Sequence, residues 1–195
     1  MNTAKAPWTE PVTPEAARGD LAKIYERVLA ASSRGTISNV WQSCGHDPDG
    51  LDALHTLYRS LMDDPAPLTH AQAELIAVVV SATNGCGYCV AHHGPKLAAA
   101  LGDDALARAV AQDYREANLP ARDRVLLDAA VALTCEPCER KLEDIERLRE
   151  YGFDDAAVVK ATEIAAYYNL TNRIACALGV TLEPGLEPWE FGSQR

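Results

Sequence analysis

Asn84-Gly85-Cys86-Gly87-Tyr88-Cys89-Val90-Ala91-His92-His93 stands between two apolar, helix-periodic segments. Asn and Gly both tolerate left-handed backbone, so Asn84-Gly85 ends one helix, and a new one should start near Cys86 and run to about Leu101. Cys89 then lies three residues beyond Cys86, and His93 four beyond Cys89. That spacing places all three on one helix face. Two thiols at i and i+3 can close a disulfide with little backbone change. The helix N-terminus, with its partial positive charge and free N–H groups, stabilises a thiolate. His93, one turn past Cys89, can take a proton from that sulfur directly or through a water.

A free cysteine titrates near ~8.5 and is mostly inert thiol at neutral pH. A thiolate attacks a peroxide O–O bond and becomes a sulfenic acid, which a second thiol condenses to a disulfide. An external reductant must then reset the pair. Spacing alone leaves two other readings open, half of a zinc site or a pair of buried thiols. Zinc would need two further ligands. Cys135 and Cys138 could supply them, but 45 residues separate Cys89 from Cys135, longer than common zinc-module spacing. Which thiol is the more acidic also stays open here. Proximity to His93 favours Cys89, and the helix-end dipole favours Cys86.

Working outward, helical periodicity continues in both directions and no stretch sustains period-2 alternation. Thr13-Pro14 reads as a cap followed by Pro at the first helical position, opening a helix to about Ala31 with Leu21, Ile24, Tyr25 and Val28 on one stripe. A short helix is expected around Ser38 to Cys44, then a turn over Gly45 to Pro48 and a helix carrying Leu51, Leu54, Leu57, Tyr58 and Leu61. Thr69 with Gln72 forms a capping box for an apolar helix through Ile76, Val79, Val80 and Thr83. After Gly102 the expected helices end near Tyr114, cover about Ala121 to Thr134, Lys141 to Tyr151, and Asp154 to Leu178. The expectation is an all-α fold, one helical bundle domain over 1–195, with an extended N-terminal segment at 1–13 and a tail at 184–195 that wraps or dangles.

Of the 195 residues, 48% are hydrophobic and 24% charged, an ordinary globular balance. Eighteen basic and 28 acidic side chains give a net charge of −10, which disfavours a nucleic-acid partner. The longest purely apolar run, Leu75 to Val80, is far short of a membrane span. Met1 to Pro14 has no apolar core of a secretory signal, so a cytoplasmic protein is expected. Six cysteines in such a chain point to redox or metal chemistry rather than a disulfide framework.

Glu74 precedes Cys86 by twelve residues and is the only acidic residue of its apolar helix. The full string Glu74-x11-Cys86-x2-Cys89-x3-His93 resembles the AhpD-like (alkylhydroperoxidase D) family within the carboxymuconolactone decarboxylase-like superfamily. The GCGYCVAHH string, and the stretch Tyr167 to Arg173 continuing to Val180, are similar to its peroxidase-related branch. The resemblance covers roughly Leu21 to Pro184. It implies an all-helical fold in a homo-oligomer, trimeric or hexameric, and a peroxidase that reduces organic hydroperoxides or H₂O₂ without a cofactor or metal. By motif position it implies Cys89 as peroxidatic thiol, Cys86 as resolving thiol, a Cys86–Cys89 disulfide, and Glu74 with His93 as proton relay. The reductant it implies is a lipoyl or thioredoxin-like protein thiol. Well-known members carry His where this chain has Tyr88. Tyrosine titrates near ~10 and is a poor base, so Tyr88 is an auxiliary candidate that could donate a hydrogen bond to substrate or sulfenate.

His92 points about 100° away from His93 on an ideal helix and reads as structural or interfacial. Cys135-Glu136-Pro137-Cys138 is a second C-x-x-C with three readings: a redox pair relaying electrons to Cys86–Cys89, a zinc or iron–sulfur site, or two loop cysteines without a role. Cys44 and Cys176 are expected as buried small hydrophobes, and Trp41 and Tyr168 as pocket or core aromatics. Arg173 reads as structural, or as an anion-binding group. Two further functions fit parts of the pattern, a carboxymuconolactone decarboxylase-like lyase and a non-enzymatic metal-binding or redox-sensing protein.

Overall fold

A computed structural model describes residues 7–194. The described helices are α1 (Gly19–Ala31), α2 (Asn39–Ser43), α3 (Pro48–Met62), α4 (His70–Thr83), α5 (Gly87–Leu101), α6 (Asp104–Asp113), α7 (Ala121–Cys135), α8 (Leu142–Glu150) and α9 (Asp155–Ala177), with a 3₁₀ turn at Pro137–Glu139. No strand occurs among the described residues, so the all-α expectation holds.

Helix α4 is the centre because its sequence leaves it no polar face. Leu75 to Val80 are all fully buried, and a helix that is apolar all round is stable only when enclosed. α5, α6, α7 and α9 enclose it. The Thr69–Gln72 capping box forms as expected, with the Gln72 N–H bonding Thr69 and the Thr69 N–H bonding the Gln72 side chain. A second, smaller core joins Leu21, Ile24, Tyr25 and Val28 of α1 to Leu51 of α3.

Helix α1 begins later than its sequence suggests. The Thr13 carbonyl accepts the N–H groups of Ala16 and Ala17 in an isolated turn, and the helix starts at Gly19. Gly19 has φ +59°, a left-handed residue that interrupts any helix running through from Pro14. Of the extended segment expected over 1–13, residues 1–6 lie outside the described residues. The remainder is tied down by Trp8 N–H to the Leu178 carbonyl and Val12 N–H to the Gln42 carbonyl.

The C-terminal tail wraps. Gln194, fully buried, donates to the Ala111 and Gln112 carbonyls and accepts the Tyr114 N–H. Phe191 lies against Gly87 and Trp189 against Gly94, so the tail covers the outer side of α5. Gly94 is there for space. A Cβ at that position would sit 2.3 Å from the Trp189 ring. Gly94→Ala is expected to destabilise the protein by about 1–3 kcal/mol through overpacking, although alanine is intrinsically the better helix former. Urea unfolding measures this, and a midpoint at or above wild type would contradict the packing.

Candidate active site

Helix α4 ends in a Schellman turn. Gly85, at φ +71°, donates its N–H to the Ala82 carbonyl, and Cys86 donates to the Ser81 carbonyl at 2.9 Å. This pattern needs a left-handed residue at the position of Gly85. Cys86 is at once the residue that closes α4 and the N-cap of α5, its carbonyl accepting from Val90. Its position is therefore fixed from both sides. A partly buried polar ladder holds the same corner: Asn84 donates to Asn169 and Asn172, Asn172 donates to Ser81, and Asn169 donates to Thr134. These bonds fasten the end of α4 to α9 and α7.

The corner brings together Glu74, Cys86, Cys89 and His93. His93 is 7% exposed, and its Nδ1 lies 2.7 Å from Glu74 Oε2. With Nδ1–H donated to the carboxylate, Nε2 accepts from the Tyr168 hydroxyl at 3.1 Å. The Tyr168 ring stands edge-on to the imidazole, its centroid 4.9 Å away. Burial is the largest influence on His93 and pushes it below the ordinary imidazole value, with Glu74 acting in the opposite direction. The ring is thus a neutral, oriented base near pH 7.

Cys86 is 1% exposed and Cys89 7%. The Cys86 thiol donates a hydrogen bond to Cys89. That bond first, and burial second, push Cys86 far above the ordinary thiol range. The helix-end argument for Cys86 therefore loses to desolvation and to its role as donor. A cavity of about 600 Å³ reaches Cys89. Glu74, His93, Tyr168 and Tyr88 line it beside Cys89, and Trp41, Tyr58 and Met62 supply apolar wall. Cys86 is not among its lining residues; it sits behind Cys89.

The second histidine belongs to a separate network. Glu183, from the segment after α9, accepts the Asn39 N–H at 2.6 Å, the Tyr88 hydroxyl at 2.8 Å and His92 Nε2 at 2.9 Å. Arg34 approaches His92 Nδ1 at 3.2 Å, and Tyr88 also accepts the Val40 N–H. Tyr88 thus gives its proton to Glu183, and burial raises its own pKa well above the usual value. His92 links α5 to the chain end, the structural role its position suggested. Burial opposes ionisation of Glu183, but the bonds from His92, Asn39 and Tyr88 outweigh it and bring the carboxyl down to about 2.

Cys135 and Cys138 are exposed at the end of α7 and in the 3₁₀ turn. Among the described residues no three His, Cys, Asp or Glu side chains assemble as a metal site, so the two C-x-x-C pairs do not combine into one. Cys176 differs from its expectation as a buried hydrophobe. It is exposed on the last turn of α9 and donates a hydrogen bond to Cys86. Arg173 is exposed and bonds the carbonyl and side chain of Asn169. Tyr168, Glu183 and Cys176 are the site neighbours that the motif did not disclose. The Tyr167 to Arg173 string held the first of them.

The profile of the Carboxymuconolactone decarboxylase family matches residues 48–112. The chain is similar to an uncharacterized peroxidase-related protein with an alkylhydroperoxidase AhpD core from Ralstonia eutropha JMP134. The two share 30% identity and a TM-score of 0.85 over 93% of this chain and 95% of the other. The chain belongs to the AhpD-like family. An uncharacterized peroxidase-related protein from Silicibacter sp. TM1040 is 29% identical with TM-score 0.84, covering 95% and 97% of the two chains. The debrominase Bmp8, in a C82A variant bound to 2,3,4-tribromopyrrole, shares the fold at 20% identity, with TM-score 0.76 over 92% and 95%. No curated protein matches the sequence. No described helix of this AhpD-like protein is long and apolar enough to cross a membrane.

The lowered Glu183 value makes its network a pH-dependent support. A carboxyl depressed in the folded state contributes stability above its unfolded pKa, near 4.5, that is lost as pH falls through about 2. Glu183→Gln is expected to cost about 1–3 kcal/mol at neutral pH, the difference from wild type shrinking below pH 4.5. Urea unfolding at a series of pH values checks this; a constant difference across that window would count against it.

Proposed function

We propose that this protein is a peroxidase-type oxidoreductase in which Cys89 reduces a hydroperoxide. The observation that carries the reading is the asymmetry of the two thiols. Cys89 opens onto the cavity beside the His93–Tyr168 pair, whereas Cys86 lies behind it and donates to it. An incoming peroxide meets Cys89 first, and the resolving thiol already touches the sulfur it must join.

In this reading the Cys89 proton passes toward the neutral His93, with Tyr168 as the hydroxyl bonded to Nε2 and Glu74 balancing the charge on Nδ1. The Cys89 thiolate attacks the distal oxygen of ROOH, the O–O bond breaks, and the alkoxide takes the proton as ROH. The Cys89 sulfenic acid then condenses with the Cys86 thiol, releasing water and forming the Cys86–Cys89 disulfide. A dithiol returns the two electrons, and its chemistry fits a lipoyl or thioredoxin-like protein. The apolar wall of Trp41, Tyr58 and Met62 favours an organic hydroperoxide over H₂O₂. The exposed Val159 and Leu170 of α9 are apolar surface that a homo-oligomer, trimeric or hexameric, would cover. Tyr88 positions the turn through Glu183, and no role in the chemistry is needed for Cys135 or Cys138. A lyase has no use for the second thiol that Cys86 provides.

With cumene hydroperoxide and dithiothreitol, Cys89→Ser is expected to remove turnover. His93→Gln should lower it by about 10²- to 10⁴-fold, and Tyr168→Phe by about tenfold. Wild-type turnover in Cys89→Ser would end the proposal. The wild-type rate should hold through the ordinary imidazole range and fall only at lower pH, because burial lowers His93 and the base is lost when the ring protonates. A rate that instead declines from pH 7 downward would assign the base elsewhere.

A further inference from the structure

The reactive pair has a difficulty that its own residues do not solve. Both Cys86 and Cys89 are below a tenth exposed, and the tail lays Phe191 against Gly87 between them. A small peroxide can enter the cavity, but a protein reductant must bring its own sulfur in line with a disulfide sulfur. Attack at Cys89 would have to come through the substrate cavity, and Cys86 is enclosed.

Cys176, like Cys86, is not among the residues that line the cavity. Ala175 packs in one buried cluster with Cys86, Tyr88 and Cys89, which places the last turn of α9 directly on the pair. The next residue, Cys176, is exposed, and its thiol donates to the Cys86 sulfur. That turn is held by a second Schellman closure: Val180 donates to the Ala175 carbonyl and Gly179, at φ +61°, to the Cys176 carbonyl. Cys176 thus interacts with Cys86 and Cys86 with Cys89, and of the three Cys176 is exposed and Cys89 lines the cavity.

We infer that Cys176 is the exit thiol of a three-cysteine relay, which carries the oxidised state from the buried Cys86–Cys89 disulfide to the surface where a dithiol reductant can reach it. The inference rests on the peroxidase reading for the origin of that disulfide, but the relay itself needs only the disulfide. In the step, the Cys176 sulfur gives up its proton and attacks Cys86 Sγ. The Cys86–Cys89 bond breaks, and Cys89 leaves as thiolate and takes the proton. The product is a Cys86–Cys176 disulfide and a reduced Cys89. The reductant's first thiol then attacks the exposed Cys176 Sγ, and Cys86 leaves and is reprotonated. The reductant's second thiol resolves the mixed disulfide, leaving Cys176 reduced and the reductant oxidised. The sum is ROOH plus a dithiol giving ROH, water and a disulfide. Burial, with the Cys86 sulfur beside it, raises the Cys176 thiol to about 11. Tying Cys86 into a disulfide removes that second influence at the step where Cys176 must act.

The test oxidises the reduced full-length protein with one equivalent of cumene hydroperoxide or, separately, of diamide. Free thiols are then alkylated and the disulfides mapped by mass spectrometry. The relay predicts a Cys86–Cys176 disulfide beside Cys86–Cys89 under both oxidants. It also predicts that oxidised Cys176→Ser is reduced by thioredoxin at least about ten times more slowly than oxidised wild type. Cys176→Ala serves equally if the serine variant folds poorly. Absence of any Cys86–Cys176 disulfide under both oxidants, or equal reduction rates, would overturn the relay. If diamide forms the Cys86–Cys176 disulfide and the hydroperoxide forms none, the peroxidase reading fails and the relay stands.

Discussion

The turn at Gly85 is the constraint on which the site depends. Its left-handed backbone lets Cys86 donate to Ser81 and then begin α5, so the direction of α5 against α4 is set by one residue. Given that direction, Cys89 and His93 face back across α4, and the only acid of that helix, Glu74, meets the His93 ring. A carboxylate on an otherwise apolar, enclosed helix is costly unless it is bonded, and His93 provides the bond. The imidazole and its carboxylate partner are thus products of the same corner that places the thiols.

The two cysteines of the motif are chemically unequal although they are three residues apart. The N-terminus of a helix stabilises negative charge only where that charge can form without first losing its solvent or its proton donor role. Cys86 has neither freedom. It is enclosed, and its proton is committed to Cys89. Cys89, one turn into the helix, has the cavity on one side and the His93–Tyr168 pair nearby. In the proposed reading local burial, rather than the dipole, assigns the roles of the two thiols.

Much of this corner could be read from sequence because its determinants are local. The Asn84-Gly85 stop, the Thr69–Gln72 box and the i, i+3, i+7 spacing of Cys86, Cys89 and His93 all act within two helical turns. The apolar run of α4 likewise announces a helix that others must enclose. Helix α1 starts later than the pattern predicts because Thr13-Pro14 carries a good cap signal, while the interrupting Gly19 looks harmless in a helical pattern. Tyr168 meets His93 across 75 residues and Glu183 meets His92 across 91. Cys176 touches Cys86 across a similar distance. No periodicity spans such gaps; these contacts arise from how α9 and the chain end pack on α5, which only the assembled fold determines.

The central claim is that Cys89, with Cys86 behind it, is the sulfur that first takes oxygen from a peroxide. It is tested most directly by trapping the sulfenic acid. Cys86→Ser and Cys89→Ser are each reduced, given one equivalent of cumene hydroperoxide with dimedone present, and the adduct is located by mass spectrometry. The account predicts a dimedone adduct on Cys89 in Cys86→Ser and none on Cys86 in Cys89→Ser. An adduct on Cys86 in Cys89→Ser, with Cys89 unmodified in Cys86→Ser, would contradict it.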